Sequence, residues 1–114
     1  MSGDQILSNN AATGGGLYNA GGTVTITGSV VSFNKATDGA GGGIENTSGT
    51  VTVSGGTVIN SNATSTSGAG VANWGTFLMT GGEISENYML PGPGYGGGVY
   101  NPGSMRLIGV QVQG

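Results

Sequence analysis

The chain has 114 residues, enough for at most one modest domain, with 27 glycines, no cysteine, no histidine and 6% charged residues. Its 35% hydrophobic content argues against disorder, which pairs low hydrophobicity with high net charge, and the lack of cysteine excludes a disulfide framework or thiolate metal site. With Lys35 and Arg106 its only basic residues and a net charge of −3, it lacks the electrostatic footprint of nucleic-acid binding; no apolar run approaches a membrane span, so direct membrane insertion is not expected.

From the N-terminus, Gly3-Ile6-Asn9 opens a motif Gly-x-x-Ile/Val-x-x-Asn that returns as Gly28-Val31-Asn34, Gly56-Ile59-Asn62 and Gly81-Ile84-Asn87. A second motif begins as GGGLYN at 14–19 and returns as GGGIEN at 41–46, GAGVAN at 68–73 and GGGVYN at 96–101. Its asparagines, Asn19, Asn46, Asn73 and Asn101, stand 27, 27 and 28 residues apart, and a fixed period of this size marks a solenoid. Between the two motifs lies an alternating run. Val24 and Ile26 are interleaved with Thr23, Thr25 and Thr27; Val51 and Val53 with Thr50, Thr52 and Ser54. The third copy has Phe77 and Met79 with Thr76, Leu78 and Thr80, and the fourth Met105 and Leu107 with Ser104, Arg106 and Ile108. Period two places one face inward and the other in solvent.

Each coil therefore reads as three short strands, on the glycine-apolar motif, the Thr/Val run and the Ile/Val-x-x-Asn motif. Glycine throughout disfavours helix by roughly 1 kcal/mol per residue against alanine. Stacked at about 4.8 Å, the coils would align Leu17, Ile44, Val71 and Val99 as one core column and Val31, Ile59, Ile84 and Val112 as another. Asn19, Asn46, Asn73 and Asn101 would form one amide ladder, and Asn9, Asn34, Asn62 and Asn87 a second. The stretch from the second asparagine to the next ladder residue spans 10, 12, 11 and 14 residues in successive coils, which predicts a surface loop at that corner. The fold expected is an all-β parallel β-helix of about four coils. Residues 1–114 form a single segment, read as a fragment of a longer solenoid because its first and last coils are incomplete.

The glycine runs with the Thr/Val run and the Ile-x-x-Asn motif resemble right-handed parallel β-helix repeats of bacterial surface proteins. In pattern they are similar to polymorphic outer-membrane protein and autotransporter-adhesin passenger repeats, across nearly the whole chain. Here a third glycine precedes Leu17, Ile44 and Val99 where that pattern has alanine, and Ile6, Val31, Ile59 and Ile84 stand where it favours phenylalanine. The resemblance implies a right-handed coil and an extracellular or cell-surface location. Met1 is followed by Ser-Gly-Asp-Gln and not by a signal peptide, so export is expected to be directed by sequence outside this stretch.

Catalytic chemistry finds no assembled cast. Asp4, Asp38, Glu45, Glu83 and Glu86 form no carboxylate cluster in the sequence pattern, and Glu83 and Glu86 read as solvated residues flanking Ile84. Asp38-Gly-Ala-Gly-Gly-Gly does not meet the calcium nonapeptide pattern, and no Gly-Lys-Ser/Thr follows the glycine runs, so no cofactor is expected. Two candidate binding surfaces remain. One is the outward threonine array, Thr23, Thr25 and Thr27 over Thr50 and Thr52. The other is the longest loop, with Tyr88, Met89, Leu90 and Tyr95. The reading is a non-catalytic structural or adhesive segment whose partners are neighbouring coils of the same or another solenoid, with a carbohydrate or host-surface ligand beyond them. The rival is a fragment of a carbohydrate-active β-helix enzyme, a polysaccharide lyase or hydrolase; an ice-binding solenoid comes third.

Overall fold

The computed structural model describes residues 1–91 and 96–113, and among them there is no helix. Three parallel sheets stack into a β-solenoid of about four turns. The first sheet joins β1 (Gln5–Leu7), β4 (Val30–Ser32), β7 (Val58–Asn60), β11 (Glu83–Ser85) and β15 (Gln111–Val112). In the second, β6 (Ile44–Ser54) pairs with β3 (Leu17–Thr27) on one side, and with β9 (Val71–Asn73) and β10 (Thr76–Thr80) on the other. Beyond these lie β13 (Val99–Tyr100) and β14 (Ser104–Ile108). The third sheet is narrow, with β2 (Asn10–Ala11), β5 (Lys35–Ala36), β8 (Ala63–Thr64) and β12 (Tyr88–Met89).

The registers follow the repeat. Leu17 pairs with Ile44, Ile44 with Val71 and Val71 with Val99. Ile6, Val31, Ile59, Ile84 and Val112 make the second apolar column. The alternating runs stack residue on residue, so Val24, Val51, Phe77 and Met105 align, as do Ile26, Val53, Met79 and Leu107. Burial is complete in the middle coils, where Ile44, Val51, Val53, Ile59, Val71, Met79 and Ile84 are wholly enclosed. It falls away at the last coil, where Val112 keeps its register but is 47% exposed. Parallel ladders bury a residue through the coils above and below it, and Val112 has a described neighbour on one side only.

Two details differ from the sequence expectation. The glycine-apolar and Thr/Val segments are not separate strands in the first two coils, because β3 and β6 each run for 11 residues through the corner. Three residues separate Asn19 from Thr23 and Asn46 from Thr50, and the ladder absorbs them as an irregularity between Asn19 and Thr23. Only two separate Asn73 from Thr76, and there the strand divides into β9 and β10. The second detail is the corner expected as a loop. Its first two residues after Asn9, Asn34, Asn62 and Asn87 form the third sheet, which places Tyr88 and Met89 on a strand.

Candidate binding faces

Both asparagine columns form amide ladders. In the first, Asn19 Nδ2 donates to Asn46 Oδ1, Asn46 Nδ2 to Asn73 Oδ1 and Asn73 Nδ2 to Asn101 Oδ1, each at 2.8 Å. The second hydrogen of each amide goes to backbone carbonyls of the neighbouring coil, from Asn46 to Thr76 O at 3.1 Å, where β10 begins, and from Asn73 to Ser104 O at 2.9 Å, where β14 begins. In the second ladder, Asn9, Asn34, Asn62 and Asn87 are joined by Nδ2 to Oδ1 bonds of 3.1, 3.0 and 2.9 Å. Here the backbone is recruited as well. Asn62 Oδ1 accepts from the Asn34 N–H at 3.0 Å as well as from Asn34 Nδ2, while Asn62 Nδ2 donates to Val31 O at 2.9 Å. Every hydrogen-bonding valence of Asn62 is used in a site of zero exposure, which is the condition for burying an amide without penalty.

The glycine run is fitted to this ladder. A Cβ on Gly43 would lie 2.7 Å from Gly70 O and 2.9 Å from Asn62 Nδ2, and one on Gly16 or Gly70 would meet Asn34 or Asn87 in the same way. The third glycine of the motif is therefore the space the second asparagine occupies. The residue before that asparagine has a separate constraint. Ser8, Phe33, Ser61 and Glu86 have φ of 55, 57, 54 and 54°, the four non-glycine residues with positive φ among the described residues. The chain must turn left-handed there to aim the amide inward, whichever side chain the position carries.

Outside, the threonine array is in register. Thr23 pairs with Thr50 and Thr50 with Thr76, which is followed by Ser104; Thr25 pairs with Thr52 and Thr52 with Leu78, which is followed by Arg106. Thr27 pairs with Ser54. Thr23 and Thr25 are exposed, while Thr27, Thr50 and Thr52 are half-buried. The second candidate surface is divided by the third sheet. Tyr88 is 53% exposed on β12, its N–H donating to Asn62 O at 2.9 Å, and Met89 and Leu90 are half-buried. Tyr95 lies outside the described residues.

Several features escaped the sequence reading. Trp74 and Tyr100 form an edge-to-face pair with centroids 5.8 Å apart and planes at 63°. The repeat hides this pair, since Trp74 follows its ladder asparagine and Tyr100 precedes the next one. Glu45 is 5% exposed and accepts from Thr13 Oγ1 at both carboxylate oxygens, 2.8 Å to Oε2. A third polar column lies at another corner, where the Ser29 N–H donates to Thr57 Oγ1 at 3.1 Å and Thr57 Oγ1 donates to Ser54 O at 2.8 Å. Glu83 is half-buried and accepts from Ser85 Oγ, and Glu86 is exposed.

Among the described residues no three of His, Cys, Asp and Glu are grouped to hold a metal, and no helix is long and apolar enough to cross a membrane. The groups available to a ligand lie on outward sheet faces and corners. No family model, curated protein or solved structure matches the chain.

Proposed function

We propose that the chain is a non-catalytic β-helix segment of a secreted or surface-displayed repeat protein, with the coil stack as a rigid scaffold and its outward faces as an adhesive surface of the polymorphic outer-membrane protein and autotransporter-adhesin kind. The observation that carries this reading is how the polar groups divide. The ladder amides are spent on one another and on backbone carbonyls, whereas no internal hydrogen bond engages the hydroxyls of Thr23, Thr25, Thr50 and Thr52 among the described residues. Groups fixed by the scaffold and left for the solvent side are what a binding face requires.

The test is to incubate the protein with immobilised polysaccharides and host-cell glycans, and to measure retention and cleavage together. Retention with no new reducing ends or unsaturated products is the expected result; cleavage would replace the adhesive reading with the carbohydrate-active enzyme. The in-register square of Thr23, Thr25, Thr50 and Thr52 supports ice binding as a second reading. Leu78 and Arg106 interrupt the rank beyond it, so the adhesive reading expects no thermal hysteresis.

A further inference from the structure

Coils three and four present a surface that the ladders do not need. Trp74, the one tryptophan in the chain, stands 43% exposed at the corner after Asn73. Its backbone N–H donates to Asn46 O at 2.8 Å, which anchors the corner, and its ring packs edge-to-face with Tyr100. A large ring fixed in this way is a preset apolar platform, with its negative π face available to weakly positive C–H groups such as those on one face of a pyranose. Along the adjoining strands, register sets Thr76 beside Ser104 and Leu78 beside Arg106, with Thr76, Ser104 and Arg106 exposed.

The charge on this face is unbalanced. Arg106 is one of two basic residues in a chain of net charge −3, yet no acidic residue occurs within β3, β10 or β14 or in the Thr/Val run of β6. No ion pair or hydrogen bond engages its guanidinium among the described residues. A planar guanidinium is matched by the planar fork of a carboxylate, and Leu78 is the cross-strand neighbour of Arg106. Pairing with β14 takes place at the sheet edge, and Thr76, Ser104 and Arg106 are exposed on the outward face.

We propose that Trp74, Tyr100, Thr76, Ser104, Leu78 and Arg106 form a glycan-binding platform selective for sugars that carry a carboxylate. This rests on the adhesive reading and names its ligand class: Trp74, braced by Tyr100, takes the sugar face, Thr76 and Ser104 its hydroxyls, and Arg106 the carboxylate.

The experiment is calorimetric titration with hyaluronan oligosaccharides, which alternate neutral and carboxylated sugars, and with the same oligosaccharides after reduction of the carboxylates to alcohols. The carboxylated form should bind more tightly. Trp74→Ala should weaken binding of both forms about tenfold. Arg106→Gln should bring the carboxylated form down about tenfold, to the level of the reduced form, and leave the reduced form unchanged. Tyr18→Ala, which alters a tyrosine 50% exposed on the first coil, should change neither. Circular dichroism and melting establish that each variant folds; if Trp74→Ala does not, Arg106→Gln at an exposed position still decides. Absence of binding by the carboxylated form, equal affinity for the two forms, or binding that survives both substitutions overturns the platform. Binding that survives them but falls in Tyr88→Ala leaves the adhesive reading intact on another face, whereas cleavage of the oligosaccharide overturns that reading itself.

Discussion

Phe33 and Asn34 are chain neighbours under opposite constraints. In the column of Asn34, the side chain is invariant because its amide is the bond between coils. In the column of Phe33, occupied elsewhere by Ser8, Ser61 and Glu86, the backbone is invariant and the side chain is not. Phe33 is 65% exposed while Asn34 is 1% exposed. The coil thus fixes chemistry where a side chain faces the stack and geometry where it faces water. Variation on the outside costs the scaffold little, and a repeat can change its surface without changing its fold.

The sharpest way to break this contrast is Asn62→Leu. It would strand the Asn34 N–H and one hydrogen of Asn34 Nδ2 in a buried site and take the side-chain donor from Val31 O, while Asn87 Oδ1 would keep only the Asn62 backbone N–H at 2.9 Å. The expected loss is roughly 3–5 kcal/mol by chemical denaturation. Asn46→Leu should cost less, roughly 1–3 kcal/mol, since Asn19 Nδ2 retains Gly22 O at 3.0 Å and Ser48 O at 3.2 Å. Asn10→Leu, at an exposed position outside both ladders, should stay within about 0.5 kcal/mol. Equal melting shifts for the three variants would remove the ladders from the account of stability.

Gly43→Ala tests the space the ladder requires. Its added methyl would sit against Gly70 O and Asn62 Nδ2, and neither backbone nor a fully bonded amide can withdraw cheaply. Overpacking of this kind costs roughly 1–3 kcal/mol. A variant as stable as the wild type would show the glycine to be there for another reason. Thr13→Val comes next, since it removes the hydroxyl on which both Glu45 oxygens rest and should cost about 1–2 kcal/mol by the same measurement.

The sequence made the fold legible where one residue type recurs at one place in the coil. Parallel pairing sets like on like, so the Asn period and the Thr/Val alternation read directly as ladder and core. The left-handed column was not legible, because Ser8, Phe33, Ser61 and Glu86 share no side-chain chemistry and the conformation comes from the turn. Nor was the burial of Glu45, which depends on Thr13 reaching across from the corner whose length varies between coils. For the candidate faces, the threonine rank could be read from alternation alone. Tyr88 reads as loop because the length of its corner varies from coil to coil, and Ala63-Thr64 and Tyr88-Met89 share no side-chain pattern that would reveal their backbones pairing in register. The Trp74–Tyr100 pair joins unlike positions of successive coils, which no comparison of equivalent positions brings together.

One small effect is expected to have the opposite sign. Phe33 has φ +57°, a region that costs an L-residue with a bulky side chain roughly 1–2 kcal/mol. Its ring recovers little of this, being largely in solvent. Asparagine tolerates the left-handed region better and gives up less unfolded-state entropy than glycine would. Phe33→Asn should therefore stabilise the chain, by up to about 1 kcal/mol, read as a rise in the denaturation midpoint at unchanged slope. The neighbouring Asn34→Phe should unfold it, since the ring would replace an amide held by Asn62 Oδ1 and Ile6 O in the space beside Gly16. Exchanging the chemistry of two adjacent residues thus separates the constraints: one position accepts any side chain the turn can bear, and the other accepts only the amide. A fall in the midpoint for Phe33→Asn would show that the exposed ring contributes to folding, and the division between inward chemistry and outward geometry would fail at that column.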